Sequence, residues 1–164
     1  MLFIKSFPCD LKETEAISEW LKEVSRSLEG FSYNRLRLII HEAFVNACKH
    51  ALDNSSHIVV ILNKIGDLEI IITDPGSGFV MPNALQPFDL RSVGQSWVIA
   101  EIENVSVQAE MVDPSRIRFN LVNNAKLNAE LKESQRGLVS ILKCAKALNY
   151  HFMPNSFNYF KITC

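Results

Sequence analysis

Ile17, Trp20, Leu21, Val24 and Leu28 recur at helical spacing, which predicts a helix that starts near Asp10 or Thr14 and stops at Gly30. A short apolar run at residues 2–4 precedes it and reads as a strand. A second helix is predicted from about residue 33 to residue 52, with Ile40, Phe44, Ala47, Cys48 and Ala51 along one side. The period then shortens to two. Residues 58–62 and 68–73 read as an antiparallel pair joined around Gly66-Asp67. From residue 80 to 92 periodicity stops, and Pro82 and Pro87 punctuate the stretch. Two later segments share one layout, a helix candidate followed by a strand pair. In residues 94–122 the strand pair is carried by Val105, Val107, Ala109 and Met111, then by Ile117, Phe119 and Leu121, around Asp113-Pro114-Ser115. In residues 137–163 a helix is marked by Leu138, Ile141, Leu142, Ala145 and Leu148, and Tyr150, Phe152, Phe157, Phe160 and Ile162 fall in strand-like runs. The polar stretch between them, residues 123–135, is predicted to be helical.

The second helix has a polar face with chemical content. Glu42, Asn46, Lys49 and His50 share an arc roughly 100° wide. A carboxylate and an amide one turn apart suit a hard cation such as Mg²⁺, which takes oxygen ligands and shares them with phosphate. Taken alone, the same arc also reads as a solvated helix face. Further on, Asp74 ends an apolar strand and is followed by Gly76 and Gly78. A carboxylate at a strand end can accept from an exocyclic amine, and the glycines let backbone approach a flat ligand. Taken alone, Asp-Pro-Gly is also ordinary turn chemistry.

Composition narrows the class. At 164 residues one domain is expected, with room for a substantial core. A net charge of −1 gives no support to direct nucleic-acid binding, which calls for a basic surface. Cys9, Cys48, Cys144 and Cys164 match neither zinc nor redox spacing, so a reducing cytoplasm is expected. The N-terminus lacks a signal-peptide core and apolar runs stay well short of ~18 residues, so neither secretion nor a membrane span is expected. His41, His57 and His151 form no recognisable catalytic order with a serine or cysteine.

In their order and spacing, the Glu42–Asn46 segment resembles the N box of the GHKL ATPase superfamily (Bergerat fold), and the Asp74-Pro-Gly-Ser-Gly78 segment resembles its G1 box. The small size, with residues 7–17 leading into the first helix, resembles the bacterial anti-sigma-factor serine/threonine kinases. Histidine-kinase catalytic domains belong to the same superfamily, but the stretch before residue 33 leaves no room for their dimerisation helices. The resemblance implies an α+β fold, a two-layer sandwich of mostly antiparallel sheet with helices on one face. It implies ATP and Mg²⁺ as cofactors. By position, Asp74 would meet the adenine amine, with Gly76 and Gly78 beside it. Asn46 would hold Mg²⁺ and Glu42 would be the general base. Lys49 and Arg91 would stabilise phosphate charge, and His50 would either touch the ligand or cap the helix end. The family's threonine near the last strand has no clear match.

The glycine-bearing G2 box has two candidates. Arg91-Ser92 and Gly94 follow the G1 box at the usual short distance, with one glycine where the family has two or more. Arg136-Gly137-Leu138 is the closer local match but comes late in the chain. We place the closing unit at Gly94, keep Gly137 as the other candidate, and take residues 123–164 as a candidate C-terminal extension. On that placement a fragment ending near Asn124 stays folded. The implied partners are a sigma factor, an anti-anti-sigma protein that supplies the substrate serine, and a second copy of the chain in a homodimer. The alternative is a binding module that keeps the fold and acts by sequestration alone.

Overall fold

The computed structural model describes residues 1–51, 56–102, 104–123 and 136–164. Its elements are β1 (Leu2–Pro8), α1 (Thr14–Ser25), α2 (Tyr33–His50), β2 (His57–Ile65), β3 (Asp67–Asp74), β4 (Ser96–Ile102), β5 (Val105–Asp113), β6 (Arg116–Asn123), α3 (Arg136–Cys144), β7 (Ala147–His151) and β8 (Asn158–Thr163). The eight described strands form one antiparallel sheet in the order β1-β2-β3-β8-β7-β6-β5-β4. The fold is α+β, as the GHKL resemblance implies.

Local chemistry accounts for the first half. Ser32 caps α2 by accepting from the Arg35 N–H. Gly30 (φ +82°) ends the turn after α1, and Gly66 (φ +77°) makes the β2–β3 hairpin; both need the left-handed backbone that glycine adopts at no cost. α1 buries Ile17, Trp20, Leu21 and Val24, while α2 buries Leu36, Ile39, Ile40, Ala43, Phe44 and Ala47.

The sheet is held in register by rows of inward side chains. One row runs Val60, Ile72, Phe160, Tyr150, Ile117 and Met111, from β2 across to β5. The next runs Leu62, Ile70, Ile162, Leu148, Phe119, Ala109 and Trp97, from β2 to β4. All of these are buried except Trp97, which is half-buried at the row's end. The opposite face carries polar pairs, among them Lys161 with Glu69 at 2.6 Å and a stacked His151–Tyr159 pair. Such one-sided burial is the ordinary condition of an antiparallel sheet.

Three expectations are corrected. The stretch after Gly94 is a strand, β4, and not a helix. Val98, Ile99, Ile102 and Trp97 form a nearly continuous apolar run, which spacing cannot assign, and their branched or aromatic side chains suit a pleated surface. Leu148 belongs to β7 and not to the preceding helix, which ends at Cys144. Most importantly, residues 136–164 are no extension. They supply α3, β7 and β8, and the two strands fill the centre of the sheet between β3 and β6. The segment between Gly78 and Gly137 instead carries a three-strand meander, β4–β6, which lengthens the sheet beyond β7. The predicted helix over residues 123–135 falls, from residue 124 on, outside the described residues, as does the predicted end of the second helix at Leu52.

Removing residues 124–164 therefore reverses the sequence-based expectation. Leu148, Tyr150, Phe160 and Ile162 would go, and burial of four such side chains is worth roughly 6–12 kcal/mol. That matches the whole stability of an ordinary domain, about 5–15 kcal/mol. A fragment ending at Asn123 should show no cooperative thermal transition in circular dichroism; a melt near that of the full chain would refute the central placement of β7 and β8.

Candidate functional site

The C-terminal end of α2, the loop after β3, the start of α3 and the face of β4 enclose a cleft of about 490 Å³. That volume suits a small-molecule ligand. Its polar residues are Asn46, His50 and Asp74. The apolar walls come from Leu138 of α3, Phe160 of β8, Trp97, Ile99 and Ala100 of β4, and the loop from Gly78 to Pro82.

Asp74 is the buried acid of the site, 4% exposed. It is the last residue of β3 and continues the inward alternation of Ile70 and Ile72. Its Oδ1 accepts from the Gly76 N–H at 2.9 Å, and its Oδ2 accepts from the Tyr150 hydroxyl at 2.5 Å. Burial first, and then the Asp74 charge, push the Tyr150 hydroxyl far above its ordinary range, so it keeps its proton and acts as a donor. Phe160, Phe152 and Phe79 pack around the Tyr150 ring at centroid distances of 4.8, 5.1 and 5.9 Å.

Gly76 and Gly78 are glycines for steric reasons. A Cβ on Gly76 would fall on the His50 carbonyl oxygen, so this loop passes directly beneath the end of α2. Gly78 has φ +97°, and a Cβ there would come within 3.2 Å of Asn158 Nδ2. Asn158 is the β8 partner of Asp74, and its side chain accepts from the Met153 N–H.

Glu42 and Asn46 meet the start of α3. A Cβ on Gly137 would lie 2.6 Å from Glu42 Oε2 and 3.4 Å from Asn46 Nδ2. Gly137 is thus the glycine that the structure brings to the Glu42–Asn46 face. Gly94 is elsewhere. Its φ is +81° at the entry to β4, its N–H donates to the Met111 carbonyl at 2.7 Å, and a Cβ would meet open space. The placement of the closing unit at Gly94 is corrected accordingly. Sequence distance misled here, because the β4–β6 meander separates two segments that are adjacent in space.

The two expected cations lie apart from this cleft. Lys49 is exposed and lines a second cleft with Cys9, Asp10, Leu11 and Cys48. There burial, then hydrogen bonding with Cys9, push the Cys48 thiol up, which disfavours thiolate chemistry. Arg91 lies in the 3-10 turn Leu90–Ser92, 91% exposed, and forms a two-pronged pair with Asp89, Nη2 to Oδ2 at 2.7 Å. His50 does line the main cleft.

Sequence reasoning missed Tyr150 and the β4 wall. Tyr150 was legible as an inward strand residue, but its partner Asp74 is 76 positions away and β7 reaches it only through the strand order. Trp97 carried no signal beyond its size.

Comparison with known protein families matches residues 7–155 to the Histidine kinase-like ATPase domain. The match spans most of the chain, and the protein belongs to this family. It is thus an ATP-binding, kinase-type member of the GHKL class. No curated protein gives a significant match.

Gly137→Val should push Glu42 and Asn46 apart and weaken ATP binding at least tenfold in calorimetry. Gly94→Val, at a strained but open position, should lower the melting temperature and leave ATP affinity within about twofold. The reverse pattern would return the closing unit to Gly94.

Proposed function

We propose that this protein is a Mg-ATP-dependent serine/threonine kinase that phosphorylates an anti-anti-sigma partner and sequesters a sigma factor in the bacterial cytoplasm. The observation that carries the proposal is the seating of Gly137 on Glu42 and Asn46 at the edge of a cleft that contains Asp74. In this reading Asp74 accepts from the adenine amine, and the phosphates run toward Asn46 and Glu42. The donor set fits Mg²⁺. Asn46 offers an amide oxygen, and Mg²⁺ is commonly held by one or two side chains together with substrate phosphates. Bound there, the ion would neutralise phosphate charge. Glu42 takes the proton of the partner's serine hydroxyl; the serine oxygen bonds to the γ-phosphorus, the β–γ bridge breaks and ADP leaves.

The placement of the cations supports a second reading, a module that binds nucleotide and partners without transfer. Lys49 lines another cleft and Arg91 is paired with Asp89. Phosphoryl transfer depends heavily on charge neutralisation, so this reading predicts ATP binding with no labelled product. Incubation with radiolabelled ATP and a candidate anti-anti-sigma protein separates the two. On the kinase reading the wild type labels the partner, Glu42→Gln binds ATP but loses most labelling, and Asp74→Asn weakens ATP binding at least tenfold, ~1.4 kcal/mol. Wild-type labelling by Glu42→Gln would remove Glu42 as base.

We also propose a homodimer built on β1. This strand is one of the two edges of the described sheet, and Met1, Leu2 and Ile4 are each 59% exposed. An apolar edge invites pairing with a second copy about a two-fold axis. Light scattering at micromolar concentration should give the dimer mass, and Leu2→Lys with Ile4→Lys should give the monomer; a monomeric wild type would refute it.

A further inference from the structure

We infer that Tyr150 is a positioning residue for base recognition, fixing the Asp74 carboxylate so that the cleft selects purines bearing a 6-amino group. The inference rests on the reading above in which Asp74 meets the base. It names a residue outside the motifs that define that reading.

The geometry is specific. A tyrosine hydroxyl has one proton, and here it is given to Asp74 Oδ2 at 2.5 Å. The Gly76 N–H holds Oδ1 at 2.9 Å. A carboxylate has about four acceptor sites, so two anchors leave capacity for a ligand. The terminal torsion of an aspartate is broad. Two donors of different origin, one from the loop after β3 and one from β7, hold the plane of this one. Tyr150 itself is fully buried, while Asp74 lines the cleft. The tyrosine therefore acts through Asp74 and does not need to touch the ligand.

A carboxylate fixed in this way is acceptor-only toward the cleft. It welcomes the 6-amino donor of adenine and repels the 6-oxo acceptor of hypoxanthine. A site built to hydrogen-bond a substrate N–H discriminates strongly against an analogue that lacks it, because its own buried polar group is then left unpaired. The strength of that discrimination depends on how well the carboxylate is held. Tyr150→Phe keeps the ring among Phe160, Phe152 and Phe79 and removes the anchor on Oδ2, together with the hydroxyl's hydrogen bond to the Phe79 backbone.

Calorimetry on the full chain tests this with ATP, inosine triphosphate and purine riboside triphosphate, which has hydrogen at C6. Wild type should bind ATP at least tenfold more tightly than either analogue. Tyr150→Phe should lose about tenfold in ATP affinity while its affinity for purine riboside triphosphate stays within twofold, so selectivity collapses. If all three weaken equally, Tyr150 serves packing alone and the inference is overturned while the nucleotide reading stands. If wild type binds none of them, both fall. Should the variant fail to fold, nuclear magnetic resonance of the wild type decides. The buried Tyr150 hydroxyl proton should shift when ATP is added and stay within its apo position when purine riboside triphosphate is bound; equal shifts with both would refute the inference.

Discussion

The pairing of β3 with β8 is the constraint on which the rest of the molecule depends. It joins the N-terminal strands β1–β3 to the later strands β4–β7, which otherwise have no described neighbour among them. Through it, Asp74 stands opposite Asn158, and Ile72 opposite Phe160. One strand further, β7 brings the Tyr150 hydroxyl onto Asp74. The helix that leads into β7 brings Gly137 onto Glu42 and Asn46. A carboxylate, an amide, a second carboxylate and a tyrosine from widely separated parts of the chain thus share one neighbourhood because one pair of strands is in register.

The same pairing explains why the site can be both buried and polar. A buried carboxylate without partners is costly, and each hydrogen bond to a charged group returns about 1.5–3 kcal/mol. Asp74 has two such donors within the protein. The apolar rows through Ile72 and Ile70 lie to one side of it along β3, while Asp74 itself lines the cleft. Structure and site are therefore not separate achievements of the sheet. Two of the side chains that hold the register, Phe160 and Trp97, are also walls of the cleft.

Legibility in the sequence followed the range of the interactions. The first two helices, the β2–β3 hairpin and both motif segments depend on neighbours a few residues apart, and periodicity with Gly30 and Gly66 marks them. The alternation of Val105 to Met111 and of Ile117 to Leu121 marked β5 and β6 as well. β4 was not legible, because an apolar run of its length satisfies helix and strand alike until a partner strand chooses. The larger error concerned order. Periodicity says that Tyr150 to Ile162 fall in strand-like runs, but not that the strands enter between β3 and β6. A C-terminal unit read in line looks like an appendage, whereas a sheet can insert it at its centre.

That distinction decides how the glycines should be weighed. Gly94 and Gly137 offer the same residue type after an arginine-containing stretch, and one sequence gives no way to tell a turn from a contact. In space their demands differ. Gly94 is required by its positive φ, a property of a single backbone position that says nothing about function. Gly137 has an ordinary helical backbone and is required by what a Cβ would strike, the Glu42 carboxylate and the Asn46 amide. A glycine kept for conformation points to a turn. A glycine kept for clearance points to the groups it lets approach, and here those groups are the ones that the chemistry of the helix face had already singled out.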